Sequence, residues 1–372
     1  PGRVIDVVES PAHRGRVMSI VRSNKWPEVG SPRNQSDLRA AAGILPREST
    51  ARVGGGTDGT GEQLRVARLD GVVIGACRIA PEVMRIGESR LKIGIIRELT
   101  VHPQFVPHSV KDALLKDALA YLRERRYHLG LTTGPELILH RFGFVPLSGS
   151  VARCVAPLSV CGRSELRIRR AKHGDIPAIC RLYAGAYENT AGSLVRSRAH
   201  LARIWTGYSH TSVVIAGAGK TVGYFVARRQ AACLHVSEFA FDGSVRMGEF
   251  VESLSRFAWE SECTRATLRG PEPQLEARGS ARFAGETEPL APAAYGAALD
   301  IDELLQSMIP EWENRILRSD LRQLEVEMTL SIGNDPYRIR SRRGAVLVDG
   351  ERGNNRIALT RVELVQSILG AA

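Results

Sequence analysis

Two side chains in this sequence are well placed to accept or donate a proton. Glu98 lies near the end of a largely apolar segment, residues 91–101, where a carboxylate can act as a general base. Its alternative role is an ion pair with one of the many arginines. His140 precedes the run Arg-Phe-Gly-Phe, where a histidine either does acid–base work or is an ordinary surface residue. Both roles stay open for each residue.

The six cysteines predict reduced thiols. No CxxC pair occurs, and no histidine pattern accompanies Cys154 and Cys161, the two that lie close in sequence, so no metal site is predicted. No run of about 18 apolar residues could span a membrane, and the first residues lack the apolar centre of a signal peptide. We therefore expect a cytoplasmic protein with no membrane span.

The net charge of +11 comes mainly from arginine, since only six of the 51 basic residues are lysines. Guanidinium groups suit phosphates and acidic partners, but a base-composition preference of the genome would give the same bias. The basic residues are spread along the chain, and aromatic residues make up only 6% of it, too few to form stacking platforms. Nucleic-acid binding is thus a minor hypothesis.

The elements that must position Glu98 and His140 lie between residues 63 and 147. The pattern predicts strands at 64–69 and 72–79 around an Asp70-Gly71 turn. A central strand follows at 91–101, and apolar residues at helical spacing predict a helix from Val110 to Arg126. A short strand at 129–132 and a last strand beginning at 142–145 complete this unit. Upstream, we expect a strand at 4–8, a helix at 14–23 and a helix at 36–42.

A similar order recurs from Glu165. A strand at 166–170 precedes a helix for which Asp175 is the expected cap, and a hairpin spans 213–227. Alignment of Gly71 with Gly219 also places Val66 on Val214, Ile74 on Val222 and Gly75 on Gly223. A helix at 247–259 and a strand at 266–268 follow. This recurrence indicates an internal duplication.

The pattern changes after residue 292. A helix at 301–309 has Asp300 as its cap, and strands are predicted at 325–332, 336–341 and 345–348. A terminal helix at 361–369 begins with a capping box formed by Thr360 and Glu363. This arrangement describes a small α+β domain.

Several motifs carry a family resemblance. They are the hairpin VARLDGVVIGACRI, the stretch IIRELTVHPQF…ALLKDALAYLRERRY and the ending HRFGFVPL. In this combination, residues 63–147 resemble the GNAT acetyltransferase superfamily. The whole layout is similar to the Eis-type family, including a C-terminal segment that resembles sterol carrier proteins. The predicted fold class is α/β with mixed α+β sheets: two tandem GNAT folds, residues 1–147 and 148–290, then a sterol-carrier-like domain, residues 291–372.

The resemblance implies that the first domain binds acetyl-CoA. In such folds the central strand separates from its neighbour, and its backbone pairs with the pantetheine arm. Leu99, Thr100 and Val101 would supply those groups here. The pyrophosphate would lie on N–H groups at the start of the next helix, where the dipole favours an anion. His108, Ser109, Val110 and Lys111 occupy that position.

The phosphate loop departs from the family pattern, Arg/Gln-x-x-Gly-x-Gly/Ala. The first position holds Val106, and the two small positions hold Ser109 and Lys111. Pro107 has no N–H group to donate. We also expect Ser109 and Asp112 to form a capping box that satisfies the helix start internally and brings a negative charge to it. Lys111 and His108 would partly compensate for these changes.

The resemblance also implies catalytic roles. Family members often carry a tyrosine as general acid just before Arg-Phe-Gly-Phe, but this chain has Leu139 there, and His140 is adjacent. Glu98 is the candidate base for an attacking amine. In Eis-type proteins the C-terminal carboxylate reaches the first active site, which makes Ala372 a second candidate base. The second domain has no phosphate loop between Phe239 and Glu249, and we expect it to be structural.

Two functions remain open. One is an acyl-CoA-dependent N-acyltransferase that acts on a small-molecule or peptide amine. A missing general acid slows such chemistry by about 10²–10⁴-fold without abolishing it. The other is a catalytically inactive, GNAT-derived binding or scaffold protein. The resemblance also implies a homo-oligomer.

Overall fold

A computed structural model describes residues 26–45, 61–105, 108–132, 136–147, 151–155, 165–204, 211–216, 219–269, 283–289, 294–353 and 355–369. The segments predicted at 4–8 and 14–23 lie outside these ranges. Eight helices and three sheets form the described structure.

The first sheet has eight strands and contains most of the first unit. Across the sheet they are β1 (Glu28–Gly30), β2 (Gln63–Leu69), β3 (Val72–Ile86), β4 (Ser89–Val101), β5 (Leu129–Thr132), β15 (Tyr295–Ala298) and β6 (Val145–Pro146), with β9 (Ser193–Leu194) also paired to β3. Only β4 and β5 run parallel. Three helices belong to this unit: α1 (Gln35–Ile44), α2 (His108–Glu124) and α3 (Glu136–His140).

The second sheet has seven strands and repeats this order. Its strands, in order across the sheet, are β14 (Phe283–Pro289), β7 (Val151–Val155), β13 (Arg265–Arg269), β12 (Cys233–Phe241), β11 (Lys220–Gln230), β10 (Thr211–Ala216) and β8 (Arg167–Arg170). Its helices are α4 (Ile176–Tyr187), α5 (Arg198–Ile204) and α6 (Met247–Glu260).

The third sheet has four strands and forms the C-terminal domain with two helices. Its strands are β18 (Ala345–Asp349), β17 (Asp335–Arg342), β16 (Val326–Ile332) and β19 (Arg356–Leu359), flanked by α7 (Ile301–Leu317) and α8 (Arg361–Leu369). The inner face of this sheet shares a core with the first sheet, in which Leu305 and Tyr337 pack with Ile93 and Leu131. The C-terminal domain thus covers one face of the first unit, and α2 covers the other.

One strand of the C-terminal domain lies in the sheet of the first unit. The chain leaves the first sheet after β6, and β7 then pairs with β13 and β14 of the second sheet. After β14 the chain returns, and β15 inserts between β5 and β6 of the first sheet. The first sheet is therefore completed by a strand that follows the whole second unit in the chain.

Strand registers confirm the duplication within the hairpins. In both hairpins the second strand carries a bulge, at Ile74 and at Val222. The Ile74 carbonyl accepts a hydrogen bond from the backbone N–H of His102, and the Val222 carbonyl accepts one from that of Asp242, both at 2.8 Å. The two units thus share the alignment predicted for this strand.

The first strands of the hairpins are shifted by one residue from the predicted alignment. Ala67, not Val66, occupies the position of Val214, because Ala67 opposes Gly75 and Val214 opposes Gly223. The reason is the turn, which is one residue longer between β10 and β11 than between β2 and β3.

Two predicted helix boundaries are corrected by contacts that sequence patterns do not reveal. Asp175 forms no side-chain cap on α4, because its carboxylate instead accepts hydrogen bonds from the Arg169 guanidinium and the Lys172 backbone. Helix α7 continues through Pro310, where a helix is normally interrupted. There the backbone N–H of Glu311 donates to the Ser89 hydroxyl at 3.1 Å. The predicted caps at Asp300 and Thr360 are confirmed.

Glu311 joins α7 to the turn between β3 and β4. Its carboxylate is buried and accepts hydrogen bonds from the Glu88 backbone at 2.9 Å and the Arg315 guanidinium at 2.6 Å. Gly87 lies directly beneath this carboxylate at a φ of +53°, and a Cβ at this position would overlap it.

We therefore expect Gly87→Ala to lower the free energy of unfolding by about 2–4 kcal/mol, combining left-handed strain with displacement of a buried carboxylate. Urea denaturation measures this loss. Gly333→Ala is the matched control, because Gly333 has a φ of +66° but nothing within 4 Å of the added Cβ. The control should lose only about 1 kcal/mol. Equal losses would contradict the role of Glu311.

Cys77, Cys180, Cys233 and Cys263 are free thiols in the structure. Burial raises the pKa of the Cys77 thiol to about 12, so this cysteine is a core residue. No helix of the described ranges combines the length and the apolar character needed to cross a membrane.

Candidate functional site

The strands β4 and β5 separate at the centre of the first sheet. Their parallel pairing ends where Ile96 lies opposite Thr132, yet β4 continues to Val101. Beyond Ile96, this side of β4 has no strand partner among the described residues. The backbone of Leu99, Thr100 and Val101 therefore borders this part of the sheet, which we call the cleft. That these residues pair with a pantetheine arm stays a prediction.

Glu98 lies at the point where β4 leaves regular pairing. The ladder between β3 and β4 shifts register between Ala76 and Arg78, and Glu98 has a φ of +57°. Its Oε2 lies 3.0 Å from Nε of Arg78, which also approaches Glu62 at 3.4 Å. The ion pair that was the alternative interpretation of Glu98 is thus present. This carboxylate also lies directly beside the cleft.

Helix α2 begins at the end of the cleft. Its first residue is His108, so Ser109 lies within the helix and not at its cap, and the predicted capping box is wrong. Asp112 instead forms an ion pair with Arg141 at 3.0 Å. The charge of Asp112 is therefore compensated by a guanidinium. His108, Ser109, Val110 and Lys111 all lie in the first turn, where N–H groups have no partner within the helix.

The end of α3 holds His140 and the residue before it, Leu139, where the resemblance led us to expect a tyrosine. Leu139 is 2% exposed and packs in the core shared with α2. This position thus holds an apolar core residue. His140 is exposed at the last position of α3.

The corresponding region of the second unit has the same strand geometry. β12 and β13 pair in parallel up to Val236 and Leu268, and β12 then continues to Phe241. Gly223 opposes Phe241, just as Gly75 opposes Val101. Counted from these pairs, Glu238 corresponds to Glu98.

In the second unit, side chains bond to the groups that correspond to Leu99 and Glu98. The Tyr187 hydroxyl donates to the carbonyl of Phe239, the counterpart of Leu99, at 3.1 Å. The Glu238 carboxylate accepts hydrogen bonds from Tyr224 at 2.8 Å and from Arg196 at 2.7 Å. Burial, with Glu238 nearby, raises the pKa of Tyr187 and of Tyr224, so both stay protonated donors.

The start of helix α6 is also occupied in the second unit. The Glu249 carboxylate accepts a hydrogen bond from the Arg246 backbone N–H at 3.1 Å, at the position where an anion would bind. The two units therefore share a strand geometry, but among the described residues no side chain occupies the Leu99 carbonyl or the start of α2 as Tyr187 and Glu249 do in the second unit.

The second unit also contacts strand β3 of the first sheet. β9 pairs with β3, and the Val195 N–H donates to the Val83 carbonyl at 2.8 Å. This pairing places His200 of α5 over Glu82 of β3, with 3.6 Å between Nε2 and Oε2. Both side chains are largely buried, with exposures of 13% and 8%.

The sequence interpretation did not identify Glu62, Arg78, Glu82, Arg97 or His200. The available signal was the alternation of charged residues along β3, where Arg78 and Glu82 interrupt an apolar strand.

The terminal helix α8 packs on β15 and β6 through Leu364 and Val365. Ala372, the second candidate base, lies outside the described residues. Within the described ranges, no three histidine, cysteine or acidic residues are grouped to hold a metal ion.

This chain is similar to known proteins in its structure. Its sequence matches no protein-family model, and no curated protein matches it. Among solved structures, it resembles a conserved protein of Enterococcus faecalis V583 described as a probable N-acyltransferase. The TM-score is 0.68 and the identity 12%, over 93% of this chain and 90% of the other.

Two further solved structures show the same likeness. One is a GCN5-related N-acetyltransferase from Anabaena variabilis, with a TM-score of 0.62 and 13% identity over 91% of this chain and 89% of the other. The other is Eis1 from Mycobacterium abscessus, with a TM-score of 0.58 and 15% identity over 92% and 89%. At such identities the likeness concerns the fold. It shows a mixed α/β protein with GNAT folds, as the sequence motifs predicted.

Proposed function

We propose that this protein is an acyl-CoA-dependent N-acyltransferase whose reaction takes place in the first unit. The observation that carries this proposal is the cleft at which β4 leaves β5, which leads directly to the start of α2. An extended chain with amide groups can pair with an open strand edge, and an anion is favoured at a helix start. A pantetheine arm ending in a pyrophosphate combines both features.

In this proposal the backbone of Leu99, Thr100 and Val101 holds the pantetheine arm of acetyl-CoA. The N–H groups of the first turn of α2, from His108 to Lys111, face the pyrophosphate, and the Lys111 ammonium adds positive charge. The ion pair between Asp112 and Arg141 supports this role, because it compensates the one carboxylate in the second turn.

Acyl transfer then requires few groups. A neutral amine attacks the thioester carbonyl, the C–N bond forms, and the C–S bond breaks to release the CoA thiolate. Glu98 is the proposed base that takes the proton from the amine. The carboxylate of Ala372 is the second candidate for this role, supported by the packing of α8 on the first sheet. Since Leu139 has no proton to give, positioning and the base account for most of the expected catalysis.

The other candidate function is an inactive binding or scaffold protein. It is favoured by Pro107, by the missing loop glycines and by Leu139. Binding of acetyl-CoA separates the two functions. Titration by calorimetry should show one acetyl-CoA bound per chain, since side chains occupy the second cleft.

Ser109→Glu should weaken acetyl-CoA binding about 10- to 100-fold, because it places at α2 the carboxylate that Glu249 places at α6. An acidic residue in the first turn stabilises a helix, so the variant should fold. Glu249→Gln is the matched control and should leave affinity and stoichiometry unchanged. If millimolar acetyl-CoA does not bind the wild-type protein, the scaffold function is correct. If Ser109→Glu binds as tightly as wild type, the cofactor lies elsewhere.

We further propose the domain division 1–147, 148–290 and 291–372, in which β15 of the last segment completes the first sheet. The last segment is proposed to be a sterol-carrier-like domain. Symmetric assembly into a homo-oligomer and a cytoplasmic location complete the proposal. The acceptor is a small-molecule or peptide amine, and a role in nucleic-acid binding is not favoured.

A further inference from the structure

The face of the first sheet away from α2 has a polar strip between two apolar cores. On one side of the strip, Val73 and Ala76 pack under α1. On the other side, Met84 and Ile93 pack under the C-terminal domain. The strip itself is built from charged side chains of β3, β4 and the residue before β2. Its members are Glu62, Arg78, Glu82, Arg97 and Glu98.

This strip is the side from which an acceptor can approach the cleft. The opposite face is filled by the core of α2, where Ile79, Ile96 and Leu114 pack together. Paired residues of neighbouring strands point to the same face. Arg97 lies directly opposite Arg78, so both guanidinium groups belong to the strip.

The two arginines differ in their partners. Arg78 is 7% exposed and lies between two carboxylates, at 3.0 Å from Glu98 and 3.4 Å from Glu62. Arg97 is 40% exposed, and Glu62 approaches it only at 4.0 Å. The planar fork of Arg97 therefore keeps donors available for a bidentate bond to a planar anion. It is also adjacent in the chain to Glu98, beside the cleft.

We propose that Arg97 binds a carboxylate of the acceptor, so that the acceptor is a small amine with its own carboxylate, of the amino-acid class. This inference rests on the proposed function. The carboxylate pairs with the Arg97 guanidinium, and the amine of the same molecule is then held beside Glu98 and the thioester. A polycationic amine has no carboxylate to pair with the Arg97 fork.

The test compares acceptors that differ only in the carboxylate. Acetyl transfer is measured by release of the CoA thiol, with the common amino acids, their amides and spermidine as acceptors. We expect an amino acid to be preferred over its amide. Arg97→Gln should raise the KM for the amino acid about 10- to 100-fold and leave the KM for the amide unchanged, since a bidentate charged bond is lost only for the former.

Matched variants keep this test specific. Arg97→Lys should restore part of the preference, because it keeps the charge but not the fork. Arg90→Gln, on the same strand, should have no effect, since the Arg90 guanidinium bonds to the carbonyls of Gly87, Glu88 and Ser89 in its own turn. A preference for spermidine or for the amides would overturn the inference while leaving the proposed function intact.

A second result would also overturn it. If Arg97 binds the chain's own carboxylate at Ala372, then Arg97→Gln and removal of Ala372 should impair all acceptors equally. Failure of the proposed function itself looks different, because acetyl-CoA would then not bind to the wild-type protein at all.

Discussion

Glu98→Gln is expected to lower kcat for acyl transfer by about 10²–10⁴-fold, with little change in the affinity for acetyl-CoA. The amide keeps the shape of the side chain but cannot take a proton from the attacking amine. Protein folding should be unaffected, because Arg78 keeps its second carboxylate partner, Glu62. Steady-state rates and calorimetry on the same preparation measure both quantities.

Glu62→Gln is the control for Glu98→Gln. It removes a carboxylate from the same guanidinium but leaves Glu98 unchanged beside the cleft. We expect its kcat to stay within a few-fold of wild type. Equal losses in the two variants would mean that Glu98 acts only by holding Arg78. If Glu98→Gln keeps its activity and removal of Ala372 abolishes it, the C-terminal carboxylate is the base.

Arg68→Leu should lower the free energy of unfolding by about 3–5 kcal/mol, because it leaves a buried carboxylate without its charge partner. Arg68 and Asp37 are 3% and 7% exposed, and their ion pair joins β2 to α1. The double variant Asp37→Leu with Arg68→Leu should recover most of this loss, since well-packed apolar pairs often equal a buried ion pair. Urea denaturation at neutral pH measures all three proteins. A double variant no more stable than Arg68→Leu would contradict this account.

The same ion pair predicts a dependence of stability on pH. The hydrogen bond from Arg68 lowers the pKa of the Asp37 carboxyl below its ordinary value of 3.8. The stabilisation is therefore complete above that value and is lost as the pH falls through the lowered pKa of the folded protein. When the pH is lowered from 5 to about 2, the free energy of unfolding should fall less for the Asp37→Asn variant than for the wild type. Parallel losses would show that other carboxylates control acid unfolding.

The sequence predicted the elements whose signals are local. Asp70-Gly71 marks a tight turn, and the apolar spacing from Val110 marks a helix, so the turn, β2 and α2 were found within a few residues. Strand β3 continues to Ile86, beyond its predicted end at Ile79. The strands β7 and β15 were not predicted. Each is short, and its partners lie far away in the chain, so no turn or periodicity nearby indicates the pairing. Long-range pairing, not propensity, decides these two strands.

The sequence located the backbone segments of the candidate site, whose role stays a prediction, but not its side-chain network. Leu99 to Val101 and the first turn of α2 follow from the order of strand, loop and helix. The contacts of Arg78, Arg97 and His200 depend on a bulge, on the face that each strand presents and on a contact between units. None of these leaves a pattern in a single strand. The predicted capping box at Ser109 was wrong because the helix begins at His108, before Val110, the first residue of the apolar pattern.

Strand β15 links the C-terminal domain to the sheet of the first unit. A fragment that ended after β6 would keep its helices but would have an unfilled gap between β5 and its last strand. Such a gap exposes unpaired backbone groups, which are prone to join the strand of another molecule. The first unit is therefore unsuited to being inherited as a separate module. An insertion or deletion that displaced β15 would disturb the sheet of the first unit.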